Sequence, residues 1–400
     1  MSRIILSNVR PYGVGDPKTI TVADGTISAV GTEPPADLGP ADHVEDLAGQ
    51  IVLPGFVDGH AHADKSLWGE PWVRRTSEPI TMDQMFEDQL RQWAETTTPV
   101  ATRARAFLDM CVAYGSTSIR TFTDVAPEIG LDGVHGLLQV RADMADLADL
   151  QIVAFPQLGI LRKPGTAELL DQALRDGADA IGGLDPAGVD GDAARQLDIV
   201  FGLADKHQVP VDFHAHESGE LGIWLIERIA ERVKALGMQG KVSLCDVFSL
   251  ADPTPAQFDR LASVLADADI AVAVGVHGLL PVPDVKALHA RGVRMCLGSD
   301  SARSRWSPWG EGDILARATF LAYKQYWRRD EDLEFAVTMG TTLGREVLGA
   351  PPCDLKAGDV ADLVVLPGEA VGELVVAPPP RTLVMKRGKI VARSGALVQA

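Results

Sequence analysis

The chain is short of positive charge. Its 37 Lys and Arg stand against 55 Asp and Glu in 400 residues, a formal net charge of −18, so phosphate backbones and anionic lipid surfaces are repelled. Nucleic acid and membranes are therefore not expected partners. Cysteine is scarce too: the four, at 111, 245, 296 and 353, form no C-x-x-C pair. That excludes a disulfide framework and fits a reducing compartment. No apolar run reaches the roughly 18 residues a membrane helix needs, and MSRIILSNVRPYG has no basic segment followed by a long apolar one. The expected location is the cytoplasm. Also missing are the Gly-rich fingerprint of a dinucleotide-binding sheet and the H-x-E with P-C-x-x-C of non-barrel zinc deaminases.

What is present suffices for a large core, since 46% of residues are hydrophobic and 23% charged. A prior of about 150 residues per domain allows two or three domains or one large barrel. The ends read as short strands. RIILSNVR and TITVADGTISAVG alternate around an Asp24-Gly25 turn, and DLVVLPGE and TLVMKRGKIVAR, with a Pro-rich joint at 378–380, repeat that texture. The two ends are expected to pair.

Between them, from about residue 52 to 300, apolar β-rich runs alternate with helical stretches. The runs are IVLPGFVDGH, STSIRTFTDV, LQIVAFPQ, ADAIGGLD, VPVDFHAH, KVSLCDV, IAVAVGV and VRMCLGSD. MDQMFEDQLRQWAE, GTAELLDQALRDG and IWLIERIAERVKAL carry apolar residues at helical spacing. Eight such units fit a (β/α)8 TIM barrel, an α/β fold, better than an open sheet. The expected organisation is a small β-sandwich built from residues 1–55 and 350–400, framing a barrel of residues 56–349.

In a barrel the C-terminal ends of the strands face substrate, and the polar residues fall there. The first strand ends Gly59-His60-Ala61-His62, whose two imidazoles point to one side. The fifth ends His214-Ala215-His216-Glu217 and the eighth Gly298-Ser299-Asp300. Three His and one Asp converging from strands 1, 5 and 8 suit one divalent transition metal, Zn²⁺ or Fe²⁺, with an open position for water. His214 and His216 share a face, and spacing alone does not choose between them. His277, just beyond strand 7, is a candidate substrate contact. His43, His135, His207 and His289 fall in loops or on helices and read as structural.

The segments PGFVDGHAHADKS, DLQIVAFPQLGIL, VDFHAHE and the GSD after strand 8 resemble the amidohydrolase superfamily. The likeness is to its cytosine deaminase branch, including the aminohydrolases of triazine breakdown. It implies a metal on His60, His62, His214 and Asp300, a proton shuttle at Glu217 and a ring-reading glutamine at Gln157. HAHADK, nearer to the triazine enzymes, puts Lys65 at the pocket mouth. The fourth strand contains no lysine, where two-metal members carry a carbamylated one, so one metal is expected. A bound cation lowers the pKa of its water toward about 7. Asp300 would accept the water proton and Glu217 would protonate a ring nitrogen, so that an amine leaves a cyclic amidine or aminated N-heterocycle. Hydrolysis of a ring amide of the imidazolone type, and a degenerate site that only binds metal or ligand, are the two other readings.

The sequence departs from that pattern in three places. Asp246 stands at the end of strand 6, where the family carries a histidine that polarises the attacking water. Its charge would oppose a developing oxyanion unless Asp246 is protonated, pairs with Lys65 or an arginine, or meets a cationic substrate group. Phe122 replaces a frequent strand 2 histidine, with Asp124 remaining close by. After strand 8, Trp306 matches a ring-packing aromatic, whereas Arg303 and Arg305 are unusual. Either they clamp an anionic substituent or they are solvated or paired with Asp246, Asp124 or Glu311. Superfamily members are often oligomers, so a homo-oligomer is compatible.

Overall fold

In the computed structural model, which describes residues 3–75, 81–278 and 280–398, sixteen strands form two sheets. The first four are β1 (Ile4–Pro11), β2 (Lys18–Ala23), β3 (Thr26–Gly31) and β4 (His43–Pro54). Eight follow in the barrel: β5 (Phe56–Ala61), β6 (Ser116–Asp124), β7 (Asp149–Phe155), β8 (Ala180–Leu184), β9 (Val211–His214), β10 (Val242–Cys245), β11 (Ile270–Val274) and β12 (Met295–Leu297). The last four are β13 (Leu363–Leu366), β14 (Leu383–Lys386), β15 (Lys389–Arg393) and β16 (Ala396–Leu397).

β5 to β12 pair in sequence order, every pair parallel. The ring closes where Asp300 N donates to His60 O at 2.7 Å and His62 N to Asp300 O at 3.0 Å. Helices separate the strands and cover them, which is the (β/α)8 barrel. Both faces of each strand are then buried, and the nine residues of β6 are buried without exception, explaining why these strands read as continuous apolar runs. Inside the barrel Arg120 from β6 donates to Asp212 of β9 at 2.9 Å and to Ser243 of β10 at 2.8 Å. Asp212 and His214 alternate onto the same inward face, so a charge-paired floor lies one layer below the histidines.

The terminal strands join in one eight-stranded sheet, β16-β15-β14-β13-β4-β1-β2-β3, over its own apolar core. The join is the antiparallel pairing of β13 with β4, Leu363 opposite Pro54 and Leu366 opposite Ile51. The run IVLPGFVDGH, expected as a single strand, is divided between the two sheets. Gly55 is the break: its N–H bonds Asp362 O, and a Cβ there would stand 2.4 Å from the Thr117 side chain. The Asp24-Gly25 turn forms with both residues at positive φ, 50° and 78°, as tight hairpins require. A helix at Val371–Val376, read from sequence as part of a β segment, returns the chain to the barrel, where Thr319 bonds Val375 O. No helix among the described residues is long and apolar enough to cross a membrane.

Candidate metal centre

Strand ends bring the predicted ligands together. His60 ends its strand at the barrel rim, and His62 opens the short 3-10 turn Ala63–Lys65. The Nε2 atoms of His62 and His214 lie 3.2 Å apart, and Asp300 Oδ1 is 3.4 Å from His60 Nε2 and 3.5 Å from His62 Nε2. Ligand atoms held about 2.0–2.1 Å from a tetrahedral ion stand about 3.4 Å from one another. The three contacts match that spacing. The Nδ1 atoms of His60, His62 and His214 are buried with no hydrogen-bond partner among the described residues, and His60 Nε2 makes only the 3.4 Å contact with Asp300; a cation shared by the Nε2 atoms would supply the partner that His60 Nε2 lacks. Burial, with neighbouring positive charge, lowers the His62 and His214 imidazoles well below the ordinary histidine value. They are therefore neutral and able to ligate. Burial alone would raise the Asp300 carboxyl, but the His277 charge and the His60 hydrogen bond hold it far below the carboxylate range.

A second donor group, His60, His214, Cys245 and Asp246, is equally compact. Burial and nearby carboxylates push the Cys245 thiol well up, and its Sγ donates to Phe213 O. An imidazole and carboxylate set suits a divalent cation such as zinc or iron without displacing that bond.

Aromatic walls set the imidazoles. Phe155 stacks on His214 at 4.2 Å between centroids, and Phe122 lies 4.5 Å from His60. Beside them Lys65 is buried, its Nζ 3.0 Å from Asp124 Oδ1, bonded to Gln157 Oε1 and 4.9 Å from the Trp306 ring centroid. Gln157 Nε2 and Trp306 Nε1 are buried donors without a hydrogen-bond partner among the described residues. Burial raises the Asp124 carboxyl to about 7 against the pull of Lys65. Glu217 accepts from Ala187 N at 2.8 Å and Gly188 N at 2.7 Å, both on Oε1, leaving Oε2 buried and unpaired. Burial raises its carboxyl, against the two N–H donors.

Two expectations need correction. Asp246 is neither protonated nor paired with Lys65 or an arginine. Burial would raise its carboxyl, but His277 at 2.9 Å and His216 at 3.7 Å outweigh that and hold it well below the carboxylate range. Among the described residues Arg303 and Arg305 form no ion pair with Asp246, Asp124 or Glu311. Arg303 bonds Glu70 O and lies over the Trp68 and Trp72 rings, and Arg305 pairs with Glu95.

Spacing could not choose between His214 and His216; contacts can. His216 bonds Asp185 through Nδ1 at 2.8 Å, and although burial opposes its charge, Asp185 and Asp246 raise it to about 10. His277 is likewise raised, against burial, to about 9 by Asp246 and Asp300. Three residues escaped the sequence reading. Asp185 ends the GGLD run, where a lone Asp looks like a turn signal. Asp58 accepts from His60 N and Ser299 N, tying the first strand to the last, and Asp64 accepts from Asp124 N. Asp58 and Asp64 each stand two residues from a candidate ligand, the signal the sequence offers for them, whereas Asp185 has only its place at a strand end.

A barrel with this mouth defines a hydrolase, and the chain belongs to the amidohydrolase family, whose description matches residues 43–392. N-isopropylammelide isopropyl amidohydrolase of Pseudomonas sp. (strain ADP) is 30% identical over 358 residues, 88% of this chain and 89% of that one. The crystal structure of N-isopropylammelide isopropylaminohydrolase from Burkholderia multivorans ATCC 17616 superposes with a TM-score of 0.94 at 37% identity, covering 100% of both chains. Pterin deaminase of Rhizobium rhizogenes is 26% identical over 396 residues, 94% of this chain and 88% of that one.

Proposed function

We propose that the protein is an aminohydrolase that removes ammonia or an alkylamine from an aminated nitrogen heterocycle of the triazine, pyrimidine or pterin kind. The observation that carries this reading is the approach of the His62 and His214 Nε2 atoms to each other, and of the His60 and His62 Nε2 atoms to one Asp300 oxygen, at strand ends that also carry Glu217 and Lys65. Relatives that act on N-isopropylammelide and on pterin support the substrate class.

His60, His62, His214 and Asp300 would hold one divalent ion, zinc or iron, which lowers the pKa of water at the site. Lys65 and the free Nε2 of Gln157 offer donors to a ring carbonyl or nitrogen, and Trp306 offers a face for the ring to pack on. Glu217, its carboxyl raised by burial and its Oε2 without a partner among the described residues, protonates a ring nitrogen and makes the adjacent carbon electrophilic. Asp300 takes one proton from the attacking water as the new C–O bond forms. It then passes that proton to the departing amine as the C–N bond breaks. The remaining hydroxyl proton returns to Glu217 as the ring carbonyl forms, so the carboxyls end as they began.

Amine release by the zinc-loaded chain, measured over N-alkylated aminotriazines, cytosines and pterins, tests the reading. The expected result is turnover of at least one ring, abolished by D300N. A zinc-replete protein that releases no amine from any of them would overturn it.

A further inference from the structure

The strand 6 terminus carries a carboxylate, and the imidazole comes from the next strand instead. His277 follows β11 by three residues, with Nε2 2.9 Å from Asp246 Oδ1 and Nδ1 3.6 Å from Asp300 Oδ2. The other oxygen of Asp246 is 3.7 Å from His216 Nε2, and His216 Nδ1 is 2.8 Å from Asp185 Oδ2. Carboxylate and imidazole thus alternate, Asp185, His216, Asp246, His277, Asp300, around the ends of five successive strands. The chain of contacts finishes on the carboxylate that faces the candidate cation.

Backbone geometry supports this arrangement. Asp185, Asp246 and Asp300 all sit at positive φ, 32°, 53° and 57°, a conformation uncommon for residues other than glycine and often met at functional sites. Gly275 lies under the central contact. A Cβ there would stand 2.1 Å from His277 Nε2 and 2.9 Å from Asp246 Oδ1, so the pair closes only over a residue without a side chain. A bare carboxylate beside a developing oxyanion would oppose hydrolysis. Bonded to His277, the Asp246 charge instead orients an imidazole whose far nitrogen faces Asp300. His277 is also about a quarter exposed, as Asp300 is, so both reach the open side of the cluster.

Building on the aminohydrolase reading, we propose that His277 donates to the reacting oxygen beside Asp300, and that Asp246 is its positioning carboxylate, steadied by His216 and Asp185. The imidazole missing from strand 6 is thereby supplied from strand 7.

The test uses the zinc-loaded full chain with the heterocycle that the wild type turns over best. H277Q and D246N are expected to lower kcat by about 100-fold or more, with KM and zinc affinity, measured by chelator competition, each within about threefold. Because the two residues act as one unit, the D246N/H277Q double variant should be no slower than the worse single variant. G275A, which wedges the pair without touching either partner chemically, should reproduce D246N. Wild-type kcat in H277Q, or losses that multiply in the double variant, would overturn the proposal while leaving the aminohydrolase reading intact. Zinc affinity that falls with kcat would also overturn it, because the pair would then be holding the ion. A zinc-bound wild type that is silent on every ring defeats the broader reading, and this one with it.

Discussion

Glu217 separates binding from chemistry most cleanly at the level of single residues. Its Oε1 is occupied by two backbone N–H groups and its Oε2 by none, so E217Q keeps an oxygen to accept those bonds and loses only the transferable proton. The expected outcome is a kcat about 10²–10⁴-fold lower with zinc content unchanged, read by turnover and elemental analysis on the same sample. Lys65 makes the complementary case. Packed against Asp124, Gln157 and Trp306, it lies outside the ligand set, so K65M should raise KM more than it lowers zinc content. Leaving Asp124 buried without its cation also carries a stability cost, about 3–5 kcal/mol for breaking a buried pair, which thermal denaturation would detect. The candidate ligands could be named from the sequence because each lies at or just past a strand end, and strand ends converge in a barrel. The partners of Asp246 could not. His277 is 31 residues away along the chain, and no spacing rule links the end of one barrel strand to the loop of the next.

Close approach between elements decides where those residues point. The helix Gly219–Leu236 starts directly under Glu217, and a Cβ on Gly222 would fall 1.9 Å from the Glu217 carbonyl oxygen and 2.8 Å from Ser249 Cβ. G222A should therefore push the helix off the Glu217 loop, with a loss of about 1–3 kcal/mol of stability and a drop in kcat in the same variant. Unchanged turnover with intact stability would show that the loop is held elsewhere. Barrel strands were readable as elements because burial on both faces makes them apolar without alternation. The division at Gly55 was not readable, since Ile51–Pro54 and Phe56–Val57 form one apolar run and only the tertiary crossing against Thr117 separates them. VGELVV likewise has the composition of a strand, and it forms a helix because its apolar residues pack on the barrel's outer helices.

On the scale of the molecule, one sheet made from both ends of the chain ties the termini to the barrel. Arg393 of β15 bonds both carboxylate oxygens of Glu45 in β4, at 2.6 and 2.7 Å. The Arg393 hydrogen bonds lower the Glu45 carboxyl below its ordinary value of 4.5, against a smaller burial effect. A carboxyl lowered on folding contributes stability above its unfolded value and loses it as pH falls through the folded one. Wild type should therefore be more stable than E45Q near neutrality, by a small margin because Arg393 is largely exposed, and the two should converge below about pH 4. Melting temperatures of both proteins across that range check the sign. The central claim is that distant strand ends gather around one cation, and anomalous scattering from crystals of the zinc-loaded protein tests it most directly. A single peak bounded by His60, His62, His214 and Asp300 is the predicted result; no peak, or one between Cys245 and Asp246, would contradict it.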